Sequence, residues 1–230
     1  MDKSLRERRL LAGLTQAQLA ERAGVSLRAV RNAERGHVRS SRVETTRRLL
    51  AVLTVENPAP RIGVLGTLSV DLAGEPVELG AEKQRLLLAL LAIQPNQAVR
   101  REEIVDLLWG DDPPPSCLGL VHTYVARLRK TLEPRRGHQE PARVLTTVEG
   151  GYLLSVDEEQ SDLLRFDAAV KRAEQARGSA AAEQHWLDAL GTWRGPVLAG
   201  LDAFRHHPVC QALTARRGAE IGRASCRERV

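Results

Sequence analysis

A glycine between two short helical patterns, Gly24, is the feature that most restricts how this chain can fold. The pattern from Thr15 to Ala23 predicts one helix, and the pattern from Leu27 to Glu34 predicts the next. The few residues between them must turn sharply, and glycine adopts the positive φ of such a turn without steric cost. Two short helices joined in this way form a helix-turn-helix.

The residues around this turn have individual steric roles. Ala20 lies where the two helices cross closely, Val25 fills the core, and Ser26 can cap the following helix. Amphipathic patterns predict a preceding helix over residues 3–12 and a later one from Val43 to Leu53. Together these helices complete a small bundle.

The segment LTQAQLAERAGVS, followed by ERG, resembles the Cro/repressor-type (Xre) DNA-binding family, and the resemblance extends over residues 5–53. It implies that the helix beginning at Leu27 meets the major groove of DNA. Because Val30 and Ala33 face inward, the outer face of this helix is expected to hold Leu27, Arg28, Arg31, Asn32 and Arg35.

The side chains expected to contact DNA in this module differ in what they can bind. Arginine can bond guanine and asparagine can bond adenine, so we expect Arg28, Arg31 and Asn32 to contact bases. Gln16 and Arg39 are expected to contact phosphates.

Charge is distributed unevenly along the sequence. Residues 1–60 hold 12 basic and 6 acidic side chains, whereas residues 61–157 hold 11 basic and 13 acidic ones. A second basic cluster within the middle block contains Arg127, Arg129, Lys130, Arg135 and Arg136. Two separate clusters suggest contact with a polyanion, and a solvated helix face is the alternative for each.

A stiff Asn-Pro-Ala-Pro linker at residues 57–60 precedes a second domain. Alternating residues from Arg61 to Leu72 and the return from Pro76 to Leu79 predict short antiparallel strands. Helices are predicted over 82–93, 100–109 and 118–132, the last capped by Ser116. A hairpin over 143–156 turns at a pair of glycines. Strands, three helices and a terminal hairpin form a winged helix.

The third helix of this domain has two different faces. One stripe, predicted to be core, holds Leu118, Val121, Val125, Leu128 and Leu132. The opposite side holds His122, Thr123, Ala126, Arg127, Arg129 and Lys130. Such a polar and basic surface suits a groove of DNA.

The segments AEKQRLLLALLA, EEIVDLLWGDDPP, LVHTYVARLRKTLEP and VLTTVEGGYLL resemble the OmpR/PhoB-type winged helix of the SARP family of antibiotic regulatory activators. The resemblance covers residues 61–157. It implies that the third helix enters the major groove and that the hairpin is the wing. The residues implied to contact bases or backbone are His122, Thr123, Arg127, Arg129 and Lys130, with Trp109 and Arg143 near phosphates.

One residue of the wing departs from this pattern. Related wings often carry a basic residue just before the glycine turn, whereas this chain has Glu149. A carboxylate repels phosphate, so a DNA contact by the wing tip is in doubt.

Residues 158–220 return to a helical pattern, with apolar residues at Phe166, Val170 and Trp186. They are similar to the start of the bacterial transcriptional activator domain, a tetratricopeptide-like array that follows the winged helix in SARP proteins. Roughly three such repeats are needed for an independent core. The sequence contains one helix pair and part of the next, so the array is expected to be truncated. Residues 221–230 resemble the translation of a sequencing adapter and are excluded from the expected fold.

The expected fold is therefore mainly α. It consists of an all-α helix-turn-helix bundle over residues 1–56, an α+β winged helix over 61–157, and the start of a helical-hairpin array. The implied function is a sequence-specific transcriptional regulator that binds double-stranded DNA, an activator of the SARP type that binds promoter repeats and touches RNA polymerase. Homodimerisation is a further option. The alternatives are a repressor acting through the first module and a signalling scaffold whose helices bind a protein.

Other classes of function lack support in the sequence. It contains no GxxxxGK[ST] or GxSxG motif, so no enzyme is expected. His206, His207 and Cys210 lack a second ligand pair, and neither metal nor cofactor is expected. The apolar run from Leu86 to Ile93 is too short for a membrane span, and the first residues, Met1 to Arg6, lack the apolar core expected of a signal peptide. A cytoplasmic, nucleoid-associated protein is expected.

Overall fold

The structure, a computed structural model, describes residues 5–11, 14–35, 43–54, 59–137, 140–176 and 179–225. The chain divides into two compact units. One comprises Met1–Pro58 with Arg135–Pro141, and the other comprises Ala59–Pro134 with Ala142–Val230.

The described residues of the first unit form four helices: α1 (Leu5–Leu11), α2 (Gln16–Arg22), α3 (Leu27–Glu34) and α4 (Val43–Thr54). Leu19, Val30 and Leu49 are fully buried at the centre of this bundle. Both the glycine turn and the cap predicted for α3 are confirmed. Gly24 has a φ of +61°, and the Ser26 hydroxyl accepts a hydrogen bond from the Ala29 amide at 3.2 Å.

The second unit begins with a three-stranded antiparallel sheet, in the order β1 (Pro60–Gly63), β2 (Ser69–Leu72) and β3 (Glu75–Pro76). Ile62 lies opposite Val70 in its register. The alternating run seen in the sequence is interrupted between β1 and β2. At this break the amides of Val64 and Leu65 donate to the carboxylate of Asp162, at 2.9 to 3.0 Å, and not to a neighbouring strand.

The winged helix follows as α5 (Glu82–Ala92), β4 (Ala98–Arg100), α6 (Arg101–Trp109), α7 (Cys117–Leu132), β5 (Leu145–Val148) and β6 (Gly151–Leu154). The strands form a second antiparallel sheet in the order β4-β6-β5. Strand β4 was not predicted, because three residues are too few to show an alternation; it forms through pairing of Val99 with Tyr152.

The predicted cap of α7 is wrong in one respect. Ser116 occupies the cap position but its side chain makes no capping hydrogen bond. The preceding proline loop closes through the backbone, where the Cys117 amide donates to the Pro114 carbonyl at 2.9 Å.

Three further helices complete the second unit: α8 (Asp162–Gln175), α9 (Ala180–Gly191) and α10 (Pro208–Ser225), with a short 3₁₀ turn at Asp202–Phe204. Helices α8 and α9 pack on each other, and the rings of Phe166 and Trp193 meet edge to face at 5.4 Å. The buried residues of these helices belong to the same hydrophobic cluster as those of the winged helix. The segments on either side of residue 157 thus share one core.

Among the helices in the described part of the chain, none has both the length and the apolar character that spanning a membrane requires.

Candidate nucleic-acid interface

Helix α3 exposes a basic face. Arg28, Arg31 and Arg35 are exposed, and Asn32 is half-buried. Leu27, expected on the same outer face, is instead half-buried and packs against the core of the first unit. Its outward placement was wrong because the first residue of the helix still lies over the core. Arg39 lies outside the described residues.

A chain of polar contacts supports this face from behind. Arg9 of α1 is buried, and its guanidinium pairs with the Glu34 carboxylate and donates to the Leu14 carbonyl at 2.7 Å. Gln16 Nε2 also donates to Glu34, at 2.7 Å, and Gln16 Oε1 accepts from Arg31 Nε at 3.4 Å. Gln16, expected at a phosphate, thus lies between the ion pair and Arg31.

The charge state of Glu34 reflects these contacts. Burial by itself raises the pKa of this carboxyl, but the hydrogen bonds from Arg9 and Gln16 and the positive charges of Arg9 and Arg6 outweigh burial. The net pKa lies below its ordinary value, so Glu34 is ionised at neutral pH.

Helix α7 of the second unit is divided cleanly into two faces. Val121, Val125, Leu128 and Leu132 are buried, as the spacing predicts. The opposite stripe is exposed and consists of Gly119, His122, Thr123, Ala126, Arg127 and Lys130. We call these six residues the outward stripe. Leu118, predicted to be core, is 50% exposed because it lies in the first turn, beyond the buried stripe.

Arg129 does not lie on the outward stripe. Its Nε donates to the Leu145 carbonyl at 2.7 Å, and its Nη2 donates to Thr147 Oγ1 at 2.7 Å. Both acceptors are on β5, so the guanidinium is held against the wing. His122 is exposed, yet its ring lies 6.5 Å from the ring of Tyr152 on β6, edge to face.

The wing itself depends on two glycines. Gly150 has a φ of +74° in the turn, where a residue with a side chain is strained. A Cβ on Gly151 would lie 2.0 Å from the Val99 carbonyl oxygen, so only glycine allows β6 to pair with β4 there. Glu149 is exposed at the tip.

The two residues expected near phosphates, Trp109 and Arg143, lie outside the outward stripe. Trp109 is half-buried against the core, and Lys83 Nζ lies 4.8 Å from the centroid of its ring. Arg143 is exposed, and its backbone amide donates to Glu133 Oε1 at 2.9 Å.

Sequence reasoning missed the residues that support the two faces. Arg9 and Glu34 are separated by 25 residues, and Thr147 and Arg129 by 18. The available signal for Arg9 was its position four residues after Leu5, on the same face of α1. No local pattern indicates the partners of Arg129. Across the described residues, no group of three His, Cys, Asp or Glu side chains is arranged to hold a metal ion.

Both modules match known families. Residues 5–56 match the family described as helix-turn-helix, and residues 74–154 match the family "Transcriptional regulatory protein, C terminal". Similar proteins are the transcriptional regulatory protein EmbR of Mycobacterium tuberculosis, 37% identical over 177 residues, and the regulatory protein DnrI of Streptomyces peucetius, 35% identical over 149. These alignments cover 71% and 62% of this chain, and 45% and 55% of the relatives. The chain thus spans about half the length of these relatives.

Two further comparisons agree. The regulatory protein AfsR of Streptomyces coelicolor is 37% identical over 168 residues, which are 71% of this chain and 16% of AfsR. A solved structure of M. tuberculosis EmbR, in complex with a low-affinity phosphopeptide, superimposes with a TM-score of 0.63 at 33% identity. It covers 73% of this chain and 45% of that one.

A helix-turn-helix bundle together with a winged helix that presents a polar, basic helix face defines the class of helix-turn-helix transcriptional regulatory proteins. Within that class, the matched residues are similar to SARP-type regulators, and the resemblance stated from the sequence is confirmed. The expected α-rich mixed fold is confirmed as well.

Proposed function

We propose that this chain is a sequence-specific DNA-binding transcriptional regulator that activates promoters by binding repeated sites. The observation that carries the proposal is the outward stripe of α7. Its small and basic side chains lie opposite a fully buried stripe and beside a wing. A helix of this kind fits the major groove, where base edges can be distinguished.

Three residues of the stripe have suitable roles. Arg127 can bond guanine O6 and N7, and Lys130 can neutralise a phosphate. The Thr123 hydroxyl donates to the Gly119 carbonyl at 2.9 Å, which leaves its methyl group for a thymine methyl. Arg28, Arg31 and Asn32 of α3 provide the second set of base contacts in this proposal.

The partners follow from the same assignment. Double-stranded DNA is the ligand, RNA polymerase is the protein partner of an activator, and a homodimer would bind adjacent repeats. We assign the chain no catalytic activity and place its work at the nucleoid. Activation is proposed from the family resemblance alone. The chain contains only part of its relatives' length, so their activity is a proposal for this chain.

The test is a salt series of binding to promoter fragments, with footprinting. Phosphate contacts produce a steep slope of log K against log salt, and sequence preference survives at high salt. Arg127→Ala and Arg31→Ala should each cost about 1 to 3 kcal/mol at their own part of the site. Arg205→Ala is the matched control, because its side chain is 70% exposed and pairs with nearby Asp202 on the surface. Absence of any protected base with the wild-type chain would refute the proposal.

A promoter reporter separates activation from repression. Increased transcription in the presence of the chain supports an activator. Decreased transcription that depends on Arg31 but not on Arg127 supports the repressor acting through the first module.

A further inference from the structure

Two residues of α7 contact the wing, and they are seven positions apart. His122 faces Tyr152 of β6, and Arg129 donates to Leu145 and Thr147 of β5. With 3.6 residues per turn, positions seven apart lie on the same edge of a helix, about 10 Å apart along its axis. The helix therefore contacts the wing sheet at two levels, through His122 of the outward stripe and through Arg129 beside it.

The contacts of Arg129 determine what it can still do. Two parallel N–H groups of one guanidinium are needed to bond guanine bidentately. In Arg129, Nε and Nη2 both donate to β5, at 2.7 Å each. Contact with a base through this Nε–Nη2 edge would require these bonds to break and would leave the Leu145 carbonyl without this donor.

Arg127 is placed differently. It is exposed at the centre of the stripe, next to the small side chains of Ala126 and Thr123, and its guanidinium makes no hydrogen bond with the described residues. Small neighbours allow the helix backbone to approach the base edges, so the guanidinium of Arg127 can reach them.

We propose a division of roles on α7, in which Arg129 is a positioning residue that holds the wing against the helix and Arg127 contacts guanine. The proposal rests on the proposed function, since it concerns how the same surface binds DNA. It reassigns Arg129 from contact with DNA, the role expected from the sequence, to control of the angle between helix and wing.

The first experiment needs no DNA. Arginine Nε–Hε signals of the free chain are recorded by NMR at neutral pH, where exposed groups exchange quickly with water. The Arg129 signal should be protected and that of Arg127 should not. Thr147→Val, which removes one acceptor without changing side-chain shape, should shift the Arg129 signal and leave Arg127 unchanged. An unprotected Arg129 signal that ignores Thr147→Val overturns the proposal.

The second experiment uses DNA. Arg129→Ala should weaken binding by about 10-fold for preferred and altered sites alike, with loss of wing protection in a hydroxyl-radical footprint. Arg127→Ala should instead abolish preference at one base pair and keep the wing footprint. Thr147→Val should weaken the wing footprint in part, and it replaces Arg129→Ala if that variant does not fold.

The outcomes separate the two proposals. Loss of preference at one base pair in Arg129→Ala, with an intact wing footprint, refutes the division of roles while the regulator proposal stands. Absence of any sequence preference in the wild-type chain refutes the regulator proposal, and the NMR result still decides whether Arg129 holds the wing.

Discussion

At the scale of single residues, the buried pair of Arg9 and Glu34 contributes to the stability of the first unit. Their side chains are only 9% and 6% exposed, and they join α1 to α3 across the bundle. Removing one partner of such a pair leaves the other charge buried without compensation, which costs more than the pair itself contributes. The exposed basic face of α3 depends on this pair, because Gln16 links Glu34 to Arg31.

We expect Glu34→Gln to destabilise the first unit by about 3 kcal/mol, because the charge of Arg9 loses its counter-ion. Urea unfolding, monitored through the NMR signals of α3, measures the effect. Glu21→Gln is the matched control, since Glu21 is exposed on α2, and it should change stability by less than about 0.5 kcal/mol. Equal effects of the two variants would show that the pair contributes nothing.

The same carboxylate predicts a pH dependence. Its pKa is lowered in the folded state, so its contribution to stability is complete above the pKa of the unfolded chain. That contribution is lost as the pH falls through the folded-state pKa. Unfolding curves between neutral and acidic pH should show this loss in the wild-type chain and a smaller one in Glu34→Gln.

Helical spacing predicted the direction of many side chains but could not predict their partners. Val121, Val125 and Leu128 are buried as expected, because a period of 3.6 residues determines which positions share a face. Arg129 borders that face, and its role depends on a carbonyl of β5 that comes 16 residues later. Such a contact exists only once the tertiary structure has formed.

At the scale of single elements, the wing is held by close backbone contact. The β4-β6-β5 sheet forms because Gly151 lets β6 approach the Val99 carbonyl. The hairpin was predicted from its glycine pair, whereas β4 was not, since its three residues carry no periodic signal. A strand this short can therefore be identified only from its pairing with another strand, and not from the sequence.

Gly151→Ala should destabilise the second unit by about 2 to 3 kcal/mol, because the new methyl group collides with a backbone carbonyl that cannot rotate away. Thermal unfolding measures the effect. Gly119→Ala is the control: a Cβ there meets open space on exposed α7, and alanine should stabilise the helix by up to about 1 kcal/mol. Matching changes at both positions would contradict the assignment of close contact at Gly151.

At the scale of the second unit, Asp162 joins the winged helix to the three helices that follow. Its carboxylate accepts from the amides of Val64 and Leu65 and from Arg194 Nη2, at 2.9 to 3.0 Å. The Ile62 amide donates to the Gln160 carbonyl at 2.7 Å beside it. The sequence placed a domain boundary here because the pattern changes from strands to helices, and contacts between residues about 100 positions apart leave no local trace.

We expect Asp162→Asn to lower the stability of the second unit by about 2 kcal/mol, because hydrogen bonds to a charged acceptor are stronger than those to an amide. Calorimetry should show one unfolding transition for the second unit, both in the wild-type chain and in Asp162→Asn. The control is Asp202→Asn, whose side chain is 90% exposed and whose ion pair is worth less than about 1 kcal/mol. Separate transitions for the winged helix and the helices would refute a common core.

The shared core also determines where related chains can be joined in a chimera. A chimera spliced at Asp157 would cut between Ile62 and its acceptor Gln160 and would expose the apolar surface that α8 covers. A chimera between relatives should therefore transfer residues 59–220 as one cassette, with the crossover placed before Ala59.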